Sequence, residues 1–198
     1  MIKSIGVFCG STKGNNAVYE ENAKRITKLI VQKNIEIVYG GSHIGLMGAI
    51  ADEAITNNGK ITGVIPTHLL NKELAHKNLS KLLIVKDMAE QKEQMICLSD
   101  AFLILPGGFG TLDELFEVIT LNHLHLINKP CLIYNVNGYF DILFNFISHV
   151  LEQGFVKIKH LSIVIMDNDP IVLLSKLDYF SPKENLDYWK GRLKEYHS

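Results

Sequence analysis

A single-domain α/β fold, built on a doubly wound parallel sheet of about seven strands with helices on both faces, is what this sequence predicts. Three observations carry the expectation. Short apolar runs alternate with helical patterns along the whole chain, as they do when helices cross between parallel strands. The runs are apolar at successive positions, which fits strands covered on both faces. Glycines recur where the runs end, and open α/β sheets bind their ligands beyond the carboxyl ends of the strands.

The elements follow in order. IGVFCG (5–10) is the first strand. Tyr19, Ala23, Ile26 and Ile30 then recur at helical spacing over about 17 residues. IEIVYGG (35–41) is a second strand closed by glycines, and GLMGAIADEAI (45–55) a second helix. ITGVIP (61–66) stops at Pro66, and LLIV (82–85) leads into a helix through MAEQKEQMICLS (88–99). AFLILP (101–106) enters a glycine-rich turn that starts another helix. CLIYNV (131–136) and LSIVIM (161–166) are the last two strands, with a helix through YFDILFNFISHVLEQ between them. Right-handed crossovers then give the doubly wound form. Residues 1–180 make a single Rossmann-like domain and 181–198 a helical tail. In the tail Ser181, Pro182 and Glu184 supply an N-cap, a first-turn proline and a capping acid. Leu186, Trp189, Leu193 and Tyr196 line one tail face, for docking on its own domain or crossing to a second subunit.

With 47% apolar and 21% charged residues and a net charge of -1, the chain of 198 residues fits an ordinary globular protein. No dense Lys/Arg cluster points to nucleic acid. No apolar run reaches the roughly 20 residues of a membrane helix. The N-terminus reads straight into a strand rather than a signal peptide. Cys9, Cys97 and Cys131 lie in apolar surroundings without CxxC spacing, so three buried thiols in a reduced, cytoplasmic protein are expected.

The strand ends hold Gly10 with Ser11, Gly40 with Gly41, and Gly107 with Gly108. Bare backbone beside a helix N-terminus favours an anion such as phosphate. A dinucleotide site is disfavoured: CGSTKG lacks G-x-G-x-x-G, and the second strand carries no ribose-gripping acid. A P-loop is excluded by the missing G-x-x-x-x-G-K-[ST]. A smaller phosphate-bearing ligand remains, against the plain alternative that glycine serves turn geometry. The stretch LILPGGFGTLDELFEV (103–118) then poses a problem, because Asp113 and Glu114 follow the bare turn. Thr111 and Glu114 match a capping box, which would make Glu114 a local cap. The other reading gives anion and acids opposite ends of one ligand. A nucleotide's phosphate would sit on the amides, with the carboxylates at the sugar, where they orient water and stabilise positive charge.

The segments VFCGS (7–11), VYGGSHIGLMGAIADEA (38–54), GVIP (63–66), the Glu73-x-x-His76 pair, PGGFGTLDE (106–114), KPCLIYNVNGYFD (129–141) and EQGF (152–155) together resemble the Lonely Guy (LOG) family. The likeness spans about residues 3–177, and PGGxGTxxE is met in full. It implies a cytoplasmic α/β protein, typically a homodimer, with no cofactor or metal. The implied activity is hydrolysis of the N-glycosidic bond of nucleoside 5'-monophosphates, cytokinin riboside monophosphates or AMP, to free base and ribose 5-phosphate. The family's older label, lysine decarboxylase, finds no pyridoxal-phosphate lysine context here. By the same resemblance Glu114 is the catalytic glutamate, accompanied by Asp113. Gly107, Gly108, Phe109, Gly110, Thr111 and Leu112 form the nucleotide turn. Glu73 and Thr120 are further substrate contacts, and Lys92, Gly10, Ser11, Gly40 and Gly41 complete the binding set.

The chain departs from the family where Met-His-x-Arg-Lys is usual: it reads Met88-Ala89-Glu90-Gln91-Lys92. Gln91 occupies the catalytic arginine position without its charged fork. Lys92, one residue on, points about 100° away on a helix. Ser42 replaces a third glycine. Two alternatives therefore stay open, nucleotide binding without turnover and a different phosphoribosyl ligand. His123 and His125, two apart on a helix, make a poor metal clip. Met47, Met88 and Met95 read as packing, and Gly45 and Gly48 as close approach of a helix to the sheet.

Overall fold

The computed structural model describes residues 2–195 apart from Asn71 and Glu73, with side chains through Gly191. Its described strands are β1 Ser4–Phe8, β2 Glu36–Tyr39, β3 Ile61–Pro66, β4 Lys81–Val85, β5 Ala101–Ile104, β6 Cys131–Tyr134 and β7 Val164–Asp167. They form one sheet in the order β4-β3-β2-β1-β5-β6-β7, with every neighbouring pair parallel. The chain therefore starts at the centre, steps outward to β4, then returns to the other side of β1. The order reverses between β1 and β5, which is where such sheets open a crevice.

The sheet is covered on both faces, as the apolar runs require. On one face Ile5, Val7, Ile37, Tyr39 and Leu103 pack against α1 (Val18–Gln32), α2 (Gly45–Thr56) and α7 (Pro170–Asp178). On the other, Phe8, Val38, Phe102, Ile104 and Ile133 meet α4 (Met88–Leu98), α5 (Phe109–His123) and α6 (Asp141–Glu152). Successive strand residues such as Val7 and Phe8 enter opposite cores, which follows from the strand's two-residue period.

Several boundaries differ from the sequence expectation. β7 begins at Val164 rather than 161, because Ile158–Leu161 form a 3-10 turn that buries Leu161. The short α3 (Thr67–Leu70) and α7 are additions to the expected elements. α7 is set by Asp169, whose side chain accepts from the Ile171 and Val172 amides at 2.7 and 3.1 Å, followed by Pro170 in the first turn. Cys9 and Cys131 are buried as expected, but Cys97 is exposed: α4 buries Gln91, Met95 and Ile96, and position 97 falls off that face.

The tail helix α8 (Pro182–Glu195) docks on its own domain through Trp189. That ring is fully buried, stacks on Phe144 at 4.9 Å, and donates from Nε1 to the Val164 carbonyl at 2.7 Å. The Asn185 side-chain amide donates to the same carbonyl at 2.6 Å. Removing the indole would cost about 3–5 kcal/mol. Of the expected tail face, the Leu193 side chain and Tyr196 lie outside what is described.

Candidate functional site

The switch point between β1 and β5 is held together by backbone. The Gly10 amide donates to the Pro106 carbonyl at 3.0 Å, and the Gly10 carbonyl accepts from Leu46, in the first turn of α2, at 3.1 Å. Both main-chain groups of Gly10 are thus spent holding β1, β5 and α2 together. Gly107 is wedged beside it: a Cβ there would lie 2.1 Å from Thr111 Oγ1 and 2.8 Å from the Gly10 amide nitrogen. Only glycine fits.

The next two glycines have no such reason to be bare. A Cβ on Gly108 or Gly110 would meet nothing within 4 Å, and neither has a positive φ. Gly108 is the N-cap of α5 and offers no side-chain cap, so the first amides of that helix face outward without an intrahelical partner. Phe109, between them, is almost fully exposed. Plain turn geometry therefore accounts for Gly107 but not for Gly108 and Gly110, whereas approach of an anion to the backbone accounts for all three.

Glu114 does not cap this helix. The turn already reaches helical geometry at Phe109, which places Thr111 third and Glu114 sixth in α5, beyond the reach of a capping box. The acid stands about 9 Å along the axis from Gly108. It is half-buried, and burial pushes its pKa up to about 8; the Asp113 charge adds to the shift, Lys92 opposes it, and Glu117 adds again. Its charge is also felt by the buried Cys9 thiol, whose pKa burial and then Glu114 both raise. Glu114 therefore lies near the end of β1, at the switch point of the sheet.

Lys92 reaches from α4 to α5 and bridges two acids one turn apart, Asp113 at 2.9 Å and Glu117 at 2.8 Å. Glu117 and then Asp113 raise the pKa of its ammonium against the effect of burial. A lysine held protonated in this way is a poor Schiff-base nucleophile. Gln91, its neighbour, turns elsewhere as helical geometry demands. It is 4% exposed, and its amide donates to the carbonyls of Val64 at 2.6 Å and Gly40 at 3.4 Å, strapping α4 to β3 and to the end of β2.

The remaining expected residues divide. Gly41, at φ +74, packs on Ile65 and accepts at its carbonyl from the His76 amide at 2.9 Å, and Gly40 faces Met47. Ser11 is exposed beside Gly10. Gly45 abuts the Ser11 carbonyl and Gly48 that of His43, so the close approaches are to loop backbone rather than to the sheet expected. Ser42 is buried, and its hydroxyl accepts from the Ile44 amide. Leu112 is half-buried, whereas Thr120 is exposed six residues beyond Glu114, on an outward stripe of α5 with Phe109 and Phe116. The structure does not bring Thr120 to its own Glu114. Glu73 lies outside the described residues. The His123 ring packs on His160 with centroids 3.7 Å apart, and no group of metal-ligating side chains is found among the described residues.

Two further site residues are absent from the sequence expectation. Glu117 has a detectable signal, since Asp113 and Glu117 at i and i+4 share a helix face with one cation between them. Tyr139, whose hydroxyl donates to the Gly107 carbonyl at 2.6 Å, comes from 32 positions away and has no local signal.

The sheet order and its switch point define a Rossmann-like class of α/β fold. Solved structures of that fold include the molybdenum cofactor binding protein of Rippkaea orientalis, at TM-score 0.69 and 17% identity over 90% of this chain and 97% of that one. The Moco carrier protein of Chlamydomonas reinhardtii follows at 0.68 and 15%, over 91% and 98%. At those identities the likeness is one of fold alone. Residues 47–177 match the family model described as "Possible lysine decarboxylase". A cytokinin riboside 5'-monophosphate phosphoribohydrolase of Arabidopsis thaliana is 40% identical, covering 91% of this chain and 85% of the relative. Its namesake in Rhodococcoides fascians is 41% identical, over 84% and 85%. The chain belongs to the Lonely Guy (LOG) family that these relatives and that family model represent.

Proposed function

We propose that this protein hydrolyses the N-glycosidic bond of nucleoside 5'-monophosphates, cytokinin riboside monophosphates or AMP, releasing free base and ribose 5-phosphate. The observation that carries the reading is Glu114, a half-buried carboxyl at the sheet's switch point with a pKa of about 8, set about 9 Å along α5 from an open glycine turn. The relatives' names support the same chemistry.

The 5'-phosphate sits on the outward amides at the start of α5, from Gly108 to Thr111, where the helix dipole also favours it. The ribose then extends along the helix toward Asp113 and Glu114. As the bond from C1' to the base breaks, positive charge grows on the sugar, and the two carboxylates stabilise it. Glu114 in its ionised form takes the proton of the water as it attacks C1' and the C1'–N bond breaks, the departing base takes up one proton in turn, and a pKa near 8 suits Glu114 to that exchange at neutral pH. Lys92 holds Asp113 and Glu117 in place and keeps the acid cluster from repelling the dianion. Gln91 acts by fixing β3 and the end of β2 rather than by touching substrate. Binding without turnover has only the missing arginine to recommend it, and the relatives' names favour turnover.

The working unit in this reading is a cytoplasmic homodimer. Thr120 on the exposed apolar stripe of α5 reaches a nucleotide only if a second copy carries it there. Among the described residues no helix is long and apolar enough to cross a membrane. A panel of nucleoside monophosphates tests the proposal: chromatography should show free adenine or prenylated adenine, with ribose 5-phosphate in equal amount. Absence of any freed base at high enzyme concentration would falsify it.

A further inference from the structure

We infer that Tyr139 is a positioning residue that sets the direction of a phosphate-binding amide in the glycine turn. The inference rests on the hydrolase reading above. Tyr139 stands on the turn before α6, and its hydroxyl donates to the Gly107 carbonyl at 2.6 Å. Its ring is braced edge-on by Tyr19 of α1, with centroids 5.7 Å apart at 80°, and by Phe140 at 5.0 Å and 85°. The hydroxyl is thus supplied from a fixed place.

The consequence follows from peptide geometry. No cis peptide occurs among the described residues, so the Gly107 carbonyl and the Gly108 N–H point in opposite directions across one plane. Holding the carbonyl toward Tyr139 turns the Gly108 amide away from it. The flank of Gly107 is closed by Thr111 and Gly10, while Gly108 faces open space. The amide therefore joins the outward donors of the first turn of α5. Without the hydroxyl, a peptide between two glycines tolerates either orientation, because neither residue has a Cβ to forbid the flip. Only part of the population would then present the donor, and affinity for a monoester falls by that fraction.

Tyr139→Phe keeps the ring and its braces and removes only the hydrogen bond. Loss of one such bond predicts a roughly 2- to 10-fold rise in KM for AMP and in Kd for ribose 5-phosphate, by calorimetry. The kcat should stay within about twofold and adenosine binding should not change, a split that general loosening would not produce. Thermal melting in parallel verifies that the variant is folded, and Tyr139→Leu should show the same loss for phosphate ligands. Unchanged KM and ribose 5-phosphate affinity, or an equal loss for adenosine, would overturn the role of Tyr139 while leaving the hydrolase reading intact. A wild-type protein that bound neither AMP nor ribose 5-phosphate would overturn both.

Discussion

The glycines after β2 and those after β5 occupy equivalent places at the carboxyl edge of the sheet, yet their surroundings are opposite. Gly41 is pressed on Ile65 and the Val64 amide at a positive φ, and Gly40 lies under Met47 and the Gln91 amide. A Cβ at either position of that turn would meet protein. Gly108 and Gly110 meet nothing, and the helix they open carries Asp113, Glu114 and Glu117 within its first three turns. The packed pair lets α2, α4 and β3 close on one another. The bare pair leaves backbone exposed, with an acid cluster downstream. A glycine that its own fold explains is weak evidence for a ligand, and one that it does not explain is strong evidence.

The sharpest test of that contrast lies in the acid cluster. Glu114→Gln preserves shape and hydrogen bonding but cannot ionise. Base release should drop at least about 10²- to 10⁴-fold, the usual contribution of a positioned acid or base, with nucleotide affinity largely kept. A variant retaining near-normal kcat in a single-turnover assay would remove Glu114 from the chemistry.

The glycine turns themselves should respond with opposite signs. Gly110→Ala adds a methyl into open space on a helix, so it should stabilise the fold by up to about 1 kcal/mol. The same methyl obstructs the approach of a monoester, and AMP affinity should fall by about tenfold or more, the equivalent of one charge-assisted hydrogen bond. Gly41→Ala forces an alanine to φ +74 and should destabilise by about 1–2 kcal/mol, with no selective loss for phosphate ligands. Urea unfolding beside calorimetry reads both. Gly110→Ala binding AMP as tightly as the parent would erase the difference between the turns.

The strands and the glycine turn that opens α5 are legible in the amino-acid sequence. Residues buried on both faces of a sheet announce themselves at every position of an apolar run, and β3 falls on the expected 61–66. The glycine turn and Glu114 stand out through composition, since adjacent glycines before acids are conspicuous. What stays hidden depends on contacts between distant segments. That Thr111 lies third in its helix, and so leaves Glu114 free of capping, depends on where the turn enters helical geometry. That Gln91 straps two strands depends on carbonyls 27 and 51 positions away. Cys97 defies its expected burial because apolar neighbours in sequence say nothing about which side of α4 the sheet covers. The partners of Lys92 are a middle case: Asp113 and Glu117 reveal a shared face, but not which cation crosses from α4.

The smallest expected effect is also the most specific, because it concerns stability rather than rate. Burial first, and then Asp113, raise the Glu114 pKa from 4.5 to about 8. A group whose folded pKa is raised binds its proton more tightly in the native state than in the unfolded one. The resulting stability is fully present below about pH 4.5, and it is lost as the pH rises through about 8. Glu114→Gln has no proton to lose, so its melting temperature should gain on the parent across that window and level off above it. At pH 9 the gain should be on the order of 3 °C or more, the shift that about 1 kcal/mol produces in a chain of this size. Asp113→Asn removes the nearest like charge, so it should shift the window toward lower pH and reduce the gain without abolishing it. A melting difference between parent and Glu114→Gln that stays flat from pH 4 to 9 would mean the carboxyl ionises as it does in water. Glu114 would then be as exposed as any surface acid, and the contrast between a closed glycine turn and an open one would lose its catalytic half.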